Sequence, residues 1–352
     1  MTYEESVKQK LNSLKNKENI YVLGIESSCD ETSISIVKNG REVLTNIISS
    51  QIEIHKRFGG VVPEVASRNH VEAIDNVLKE ALEEAKLDLC EIDAIAVTYG
   101  AGLIGALMVG VAYAKSLAYS LGLPLVKVNH IKGHMAANYI ADKTLEPPFI
   151  GLIVSGGHTA IVRVDDYLNQ TFIGSTLDDA IGEAYDKVAR VLGLEYPGGP
   201  KIDKLAKEGK KSIDFVKIDT LKHTYNISYS GLKTAVINYV HKLNQNGEEL
   251  NIPDICASFQ TEAVDGLVER TVRAAKEYNM DKICIAGGVA ANSYLRGKIT
   301  EEGEKNGIKV YAPPIRLCTD NAAMIACLGY YNLINNSGIS DMTLSAEPSL
   351  KI

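Results

Sequence analysis

His130 and His134, in NHIKGHMAAN, stand four residues apart. On a helix that spacing points both imidazoles the same way, so that they can share a metal ion. A zinc peptidase of the H-E-x-x-H kind needs a glutamate directly after the first histidine as general base, and Ile131 stands there instead. Peptide hydrolysis by that route is therefore not expected. Asp320, in CTDNAAM at a loop-to-helix junction, is the best candidate for a third ligand, although an aspartate there is ordinarily a helix cap. Two imidazoles and one carboxylate leave open positions on an ion, as catalysis requires, and suit iron(II) or zinc about equally.

A second kind of chemistry is suggested by glycine. Val154-Ser155-Gly156-Gly157-His158 and Gly287-Gly288, ahead of Asn292, each follow an apolar run. Such turns can lay backbone N–H groups against phosphate oxygens, because no Cβ intervenes. Neither is a G-x-x-x-x-G-K-[ST] loop or a G-x-G-x-x-G fingerprint, and tight structural turns are the ordinary alternative. Asp186, on an expected helix, and Asp203, after a Gly198-Gly199 turn, are carboxylates placed to meet ribose hydroxyls or a cation. Asp30, beside Ser27 and Ser28, occupies the corresponding turn of the first half, where capping of an Asx turn is its ordinary role.

The elements that must position these residues follow from periodicity. YVLGIESSCDETSISIVKNG reads as strand, turn, strand, and FIGLIVSGGHTAIVRV repeats that grammar roughly 130 residues later. Between and after them run amphipathic stretches at helical spacing, ASRNHVEAIDNVLKEALEEAK, SFQTEAVDGLVERTVRAAKEY and DNAAMIACLGYYNLI. The pattern predicts α/β sheets in two diverged halves, with a break at EPPFI and the last helix returning to the first half. We delimit a polar N-terminal extension over 1–20, a first subdomain over 21–148 plus 320–352, and a second over 149–319. Ala94 to Ala114 carries no formal charge and reaches spanning length, but its glycines predict a buried strand, a turn and a buried helix.

Composition narrows the function. The 352 residues are 45% hydrophobic and 23% charged, which is globular and too long for one typical domain. With 37 Lys+Arg against 44 Asp+Glu the net charge is -7, so the chain is no basic clamp that holds nucleic acid alone. The six cysteines never fall in a C-x-x-C spacing, which argues against a zinc ribbon or a disulfide framework. The polar first twenty residues show no signal or anchor pattern, and a cytoplasmic setting with no membrane is expected; the extension itself is expected to be disordered.

Taken together, GIESSCDETSISIV, SQIEIHKRFGGVVPEVASRNH, HIKGHMAANY, VSGGHTAIV, DDAIGEAYDKVARVLGLEYPGGP, GGVAANSYLR and CTDNAAM resemble one family over nearly the whole chain beyond the extension. It is the TsaD/YgjD-type bacterial tRNA threonylcarbamoyladenosine synthase family, once labelled O-sialoglycoprotein endopeptidase. The resemblance implies an actin-like (ASKHA) fold of two RNase H-like domains with a nucleotide cleft between them. It implies transfer of the threonylcarbamoyl group from threonylcarbamoyl-AMP to N6 of adenosine 37 in tRNAs reading codons that begin with A. By the family's motifs His130, His134 and Asp320 would hold a divalent metal, and Val154, Ser155, Gly156, Gly157, His158, Asp186, Gly199, Asp203 and Asn292 would contact the threonylcarbamoyl-adenylate. Asp30 is a candidate near the acceptor. A paralogous TsaB-like subunit, docked through helices of the first domain such as the ASRNHVEAI segment, and a TsaE-like P-loop ATPase would be partners. Ala101 departs from the family's pattern, which tends to carry proline there. Two other readings compete: a phosphotransferase of the same fold, which leaves the histidine pair unexplained, and a non-catalytic nucleotide switch, which needs no ion with open positions.

Overall fold

The computed structural model describes residues 2–215 and 220–350. The chain divides into two compact units, Met1–Glu146 with Thr319–Ile352, and Pro147–Cys318. The first contains α1 (Tyr3–Leu14), β1 (Tyr21–Glu26), β2 (Glu31–Lys38), β3 (Glu42–Ser50), α2 (Ile52–His55), α3 (Pro63–Ala85), β4 (Ala94–Gly100), α4 (Ile104–Leu121), β5 (Leu125–Asn129) and α5 (His130–Ala141). The second contains β6 (Phe149–Val154), β7 (Thr159–Val164), β8 (Gln170–Ser175), α6 (Ile181–Val191), α7 (Gly198–Ala206), α8 (Ser230–Asn246), α9 (Ile252–Glu277), β9 (Lys282–Ala286), α10 (Ser293–Lys305) and β10 (Lys309–Tyr311). The chain then completes the first unit with α11 (Ala322–Ile334) and β11 (Ile339–Ser340).

The sheet orders are β11-β5-β4-β1-β2-β3 and β10-β9-β6-β7-β8. Substituting β6 for β1, β7 for β2 and so on maps the second order onto five strands of the first. The directions agree too: β1 and β2 are antiparallel and β1 and β4 parallel, as are β6 with β7 and β6 with β9. The repeated hairpin in the sequence is thus the centre of a repeated sheet.

In the first unit α11 packs on one face of the central strands and α3 and α4 on the other, so β1 and β2 are buried on both faces. The alternating serines of β2 do not face water. Ser33 and Ser35 are buried and donate to the Ile47 and Thr45 carbonyls of β3 at 2.8 and 2.6 Å. Gly24 lets α11 approach: a Cβ there would lie 2.4 Å from the Ala322 carbonyl oxygen. The uncharged stretch Ala94 to Ala114 becomes β4, a turn and the start of α4. By length and composition alone α4 is apolar enough to cross a membrane. Its Ala106, Leu107, Gly110, Val111, Ala114 and Ala118 are buried within this unit, where β4 and α3 pack against it.

The N-terminal extension is not disordered in its described part. Thr2 and Glu5 form a reciprocal capping box at the start of α1. Val7 and Leu14 are buried and the Tyr3 hydroxyl donates to the Leu123 carbonyl at 2.8 Å. Lys10 and Lys17 meet the buried Asp93 at 2.9 and 2.7 Å, and the Tyr21 N–H donates to the same carboxylate. Overall polarity hid a stripe of only three apolar residues and an ion-pair anchor that lies far along the chain. Asp93→Ala is expected to cost about 1–3 kcal/mol and to expose α1 to limited proteolysis. Unchanged melting with α1 still protected would count against this docking.

Candidate metal centre and glycine loops

In the first unit Asn129 caps α5, its side-chain oxygen accepting from the Ile131 and Lys132 N–H groups, so the helix begins at His130 itself. His130 and His134 then lie one turn apart with ring centroids 4.7 Å from each other. Between them Gly133 faces α11, where a Cβ would meet the Ile325 Cδ1 at 2.8 Å. Asp320 does not cap α11, as its position had suggested. Asn321 does so, accepting from the Met324 N–H, while Ser33 and Asn46 accept from the Ala322 and Ala323 N–H groups. Asp320 is left to point at the histidines, its Oδ1 3.5 Å from His130 Nε2 and 3.4 Å from His134 Nε2. The three potential ligand atoms all lie within 4.8 Å of one another.

Residues not singled out in the sequence surround this triad. Glu26, fully buried at the end of β1, accepts from the Ser28 N–H at 2.6 Å and the Thr98 hydroxyl at 2.6 Å. Its Oε2 lies 3.0 Å from His130 Nδ1, and Ser28 Oγ lies 3.1 Å from the same nitrogen. A carboxylate only accepts, so the proton of a neutral His130 belongs on Nδ1 and its Nε2 lone pair faces Asp320 and His134. A charged residue ending an otherwise apolar strand, YVLGIE, was the signal available for Glu26. His70 of α3 is equally buried; its Nε2 meets the Cys29 carbonyl at 3.0 Å and its Nδ1 the Thr32 hydroxyl at 2.7 Å. This fixes the turn that carries Asp30.

The electrostatics favour a cation. Burial opposes ionisation of Glu26, yet the charge and hydrogen bond of His130 bring its pKa down to about 2. Burial lifts Asp320 to about 6, against the pull of His130 and with Glu26 and Asp30 adding as like charges. Burial together with Asp320 and Asp30 lifts Glu31 to about 10. For His130 burial works the other way, but Asp320 and Glu26 outweigh it and raise the imidazole to about 9. Carboxylates thus crowd a pair of imidazoles whose nitrogens converge, and one imidazole is oriented by a buried carboxylate behind it. The donor set fits a divalent transition metal.

In the second unit the loops at the strand ends meet. The Ser155 N–H donates to the His158 carbonyl at 2.8 Å and the His158 N–H to Ser155 Oγ at 3.0 Å, closing the β6–β7 turn. Val154 contributes only backbone to this turn, its side chain being buried in the core. Gly182 packs under the turn, where a Cβ would be 2.7 Å from the Ser155 carbonyl oxygen. At Gly287, with φ of +95°, a Cβ would lie still closer to a carbonyl oxygen, 2.3 Å from that of Val154. Gly198 and Gly199 open α7 rather than forming a separate turn, and Asp186 of α6 accepts from the Gly198 N–H at 2.7 Å. Burial raises the Asp186 carboxyl, against the Gly198 N–H that stabilises its anion. Asp203 accepts from the Ser293 hydroxyl at 2.9 Å. Asn292 caps α10 through the Leu295 N–H and donates to Gln260 at 2.8 Å.

Four of these glycines have no packing reason to be glycine. Gly156, Gly157, Gly199 and Gly288 have open space where a Cβ would go, and none has a left-handed φ. With no Cβ, their backbone can be approached closely from outside the chain. If these turns take a phosphate-bearing ligand, Gly156→Ala is expected to leave the melting temperature within about 1 °C while weakening that ligand's binding severalfold. Equal loss of stability and binding would contradict this.

Comparison with known proteins agrees over most of the chain. Residues 42–327 match the family model described as tRNA N6-adenosine threonylcarbamoyltransferase. A Clostridium perfringens protein of that name is 58% identical over 332 residues, covering 94% of this chain and 98% of its own. One from Clostridioides difficile strain 630 is 57% identical over 334 residues, covering 95% and 98%. Among solved structures, full-length HypF in its phosphate- and nucleotide-bound form aligns with a TM-score of 0.60 at 17% identity, over 91% of this chain and 47% of that one. The activator of 2-hydroxyisocaproyl-CoA dehydratase from Clostridium difficile aligns at 0.53 and 15% identity, over 90% and 97%. At such identities these likenesses speak to fold alone, and the fold is the actin-like (ASKHA) one.

Proposed function

The chain belongs to the tRNA N6-adenosine threonylcarbamoyltransferase family, and from that premise we propose that it transfers the threonylcarbamoyl group of threonylcarbamoyl-AMP to N6 of adenosine 37 in tRNAs reading codons that begin with A. It is an enzyme of acyltransferase type. In the reaction N6 attacks the carbamoyl carbon, the carbon–oxygen bond to the phosphate breaks, the N6 proton is lost and AMP leaves.

The observation that supports this reading best is the convergence of His130, His134 and Asp320 on one point. A divalent ion held there, iron(II) with zinc as the alternative, supplies Lewis acidity toward a carboxylate or carbonyl oxygen of the donor. Glu26 keeps His130 in the tautomer that offers Nε2. Asp30, nearly buried in the turn after β1, is assigned to the acceptor side. The N–H groups of Gly156 and Gly157, in the turn that Ser155 and His158 close on each other, hold the phosphate of the leaving AMP, with the Gly199 and Gly288 backbones beside them. Asp203 faces the ribose, and Asp186 and Asn292 hold the loops in place through the bonds already described. The adenine amine is a weak nucleophile, so orientation by these groups carries much of the rate.

The setting we propose is cytoplasmic, where the tRNA is, with a TsaB-like paralogue and a TsaE-like P-loop ATPase as partners. The paralogue's dock is the outer face of α3 and α4, where Val71, Ile104 and Met108 are exposed apolar side chains. Light scattering of the mixed subunits should give a heterodimer, and Met108→Asp should dissociate it. The test of the reaction is product identity. Labelled threonylcarbamoyl-AMP and unmodified tRNA should give modified adenosine only at position 37, with an A37→G transcript inert. Transfer of a phosphoryl group instead would favour the kinase reading.

A further inference from the structure

Between β3 and α3 the chain makes a short loop, Lys56-Arg57-Phe58-Gly59-Gly60, whose function nothing above assigns. Its root is buried and fully bonded. His55 is inaccessible to solvent; its Nδ1 accepts from the Val62 N–H at 3.3 Å and its Nε2 donates to Gln51 Oε1 at 3.3 Å. Gln51 in turn donates to the Ala66 carbonyl at 3.3 Å. The Gly60 N–H closes the loop on the His55 carbonyl, and Gly59, with φ of +70°, turns the chain back.

The tip has the opposite character. Phe58 is 58% exposed although it sits on a loop anchored at both ends. Lys56 and Arg57 are exposed beside it. Lys56 pairs with Glu53, whereas the Arg57 guanidinium has no ion-pair or hydrogen-bond partner among the described residues. A Cβ on Gly59 or Gly60 would meet nothing within 4 Å, so the tip is uncrowded. The loop also begins next to the acceptor turn: the Gln51 N–H donates to the Asp30 carbonyl at 3.0 Å and Ser50 Oγ to Glu31 at 3.2 Å.

A lone exposed phenylalanine needs no explanation. An aromatic face flanked by two cations and two glycines, on a rigid root bonded to the turn of Asp30, has the chemistry that receives an unpaired nucleotide. The ring stacks a base and the guanidinium meets a phosphate. In a chain of net charge -7, local cations of this kind are what an RNA contact requires.

We propose that Phe58 and Arg57 form a stacking platform for an unpaired nucleotide of the RNA substrate's loop, next to the adenosine that reacts. The inference rests on the tRNA-modifying reading above.

The test uses the full-length chain with its partner subunits and a fluorescent anticodon stem–loop RNA carrying unmodified A37. Phe58→Ala should weaken RNA binding about tenfold. Phe58→Trp should bind within about twofold of wild type, and Phe58→Leu, with similar apolar bulk but no π-face, should be as weak as alanine. Arg57→Gln should lower the slope of log K against log salt by about 0.7. Metal content and melting temperature should stay as in wild type throughout. Wild-type RNA affinity in Phe58→Leu would overturn stacking. Unchanged RNA affinity with weakened subunit assembly would show the tip to be a protein contact and overturn the proposal. If the wild-type complex transfers the group to A37 and Phe58→Ala binds equally well, only this inference fails. If the wild-type complex neither binds nor modifies the RNA, the functional reading fails with it.

Discussion

Replacing Glu26 by glutamine is expected to lower the affinity of the His130, His134 and Asp320 centre for a divalent ion by about 10- to 100-fold. All the bonds given for the Glu26 carboxylate come from donors: the Ser28 N–H, the Thr98 hydroxyl and His130 Nδ1. A glutamine has one acceptor oxygen and one NH2 group. Whichever way it is turned, its amide protons face the Ser28 N–H or the pair formed by Thr98 and His130. Thr98 can rotate its hydroxyl and His130 can shift its proton to Nε2, which would block the lone pair that a metal needs, but the Ser28 N–H cannot turn away. The substitution thus removes the negative charge behind His130 and either frees it to take the wrong tautomer or leaves the Ser28 N–H unmatched, the latter at a cost of about 1–3 kcal/mol in stability. Competition of the protein with a chromophoric chelator for cobalt(II) measures the affinity. A value within twofold of wild type would show that Glu26 does not orient His130.

Gly24→Ala should be the most disruptive of the small substitutions considered. The new methyl would lie 2.4 Å from the Ala322 carbonyl oxygen, 2.8 Å from the Ala326 nitrogen and 2.9 Å from the Ala326 Cβ. Two of these are helix backbone, which cannot swing aside, so α11 must move off the sheet. Overpacking of this kind costs about 1–3 kcal/mol and occasionally more. We expect the upper end, because β1 is a central strand paired on both sides. Asp320 stands just ahead of α11 and moves with it, so the same variant should lose its metal. Gly156→Ala provides the contrast, since it adds the same methyl into open space. Calorimetry and metal analysis of the two variants together check the argument. Similar melting for both would mean that α11 is less closely held than its contacts indicate.

Much of this was legible in the chain. The period-2 hairpins and the four-residue spacing of His130 and His134 carried enough local signal to place strands, a helix and two imidazoles on one side of it. The glycines marked the turn that breaks the uncharged run, but the buried helix they suggested is buried on one face only, since Ile104, Met108 and Tyr119 of α4 are exposed. What escaped was set by distant partners. Polarity made residues 2–20 look disordered, whereas the anchor of α1 is Asp93, an interaction that no local pattern announces. Asp320 was named as the candidate third ligand, with capping as the ordinary alternative, and it is the neighbouring Asn321 that caps α11. Glu26 and His70 were missed because a single polar residue in an apolar stretch does not show which group it faces. The glycines taught a finer lesson. Sequence alone treats Gly24 and Gly156 alike, yet one is required by packing inside the protein and the other is not.

Single-turnover transfer from labelled threonylcarbamoyl-AMP to unmodified tRNA, by the wild-type and His134→Ala complexes with metal content assayed in both, tests the central claim most directly. The account predicts one equivalent of divalent ion and rapid transfer for the wild type, with ion and transfer lost together in His134→Ala while the variant still melts cooperatively. Undiminished transfer by a metal-free His134→Ala protein would contradict it.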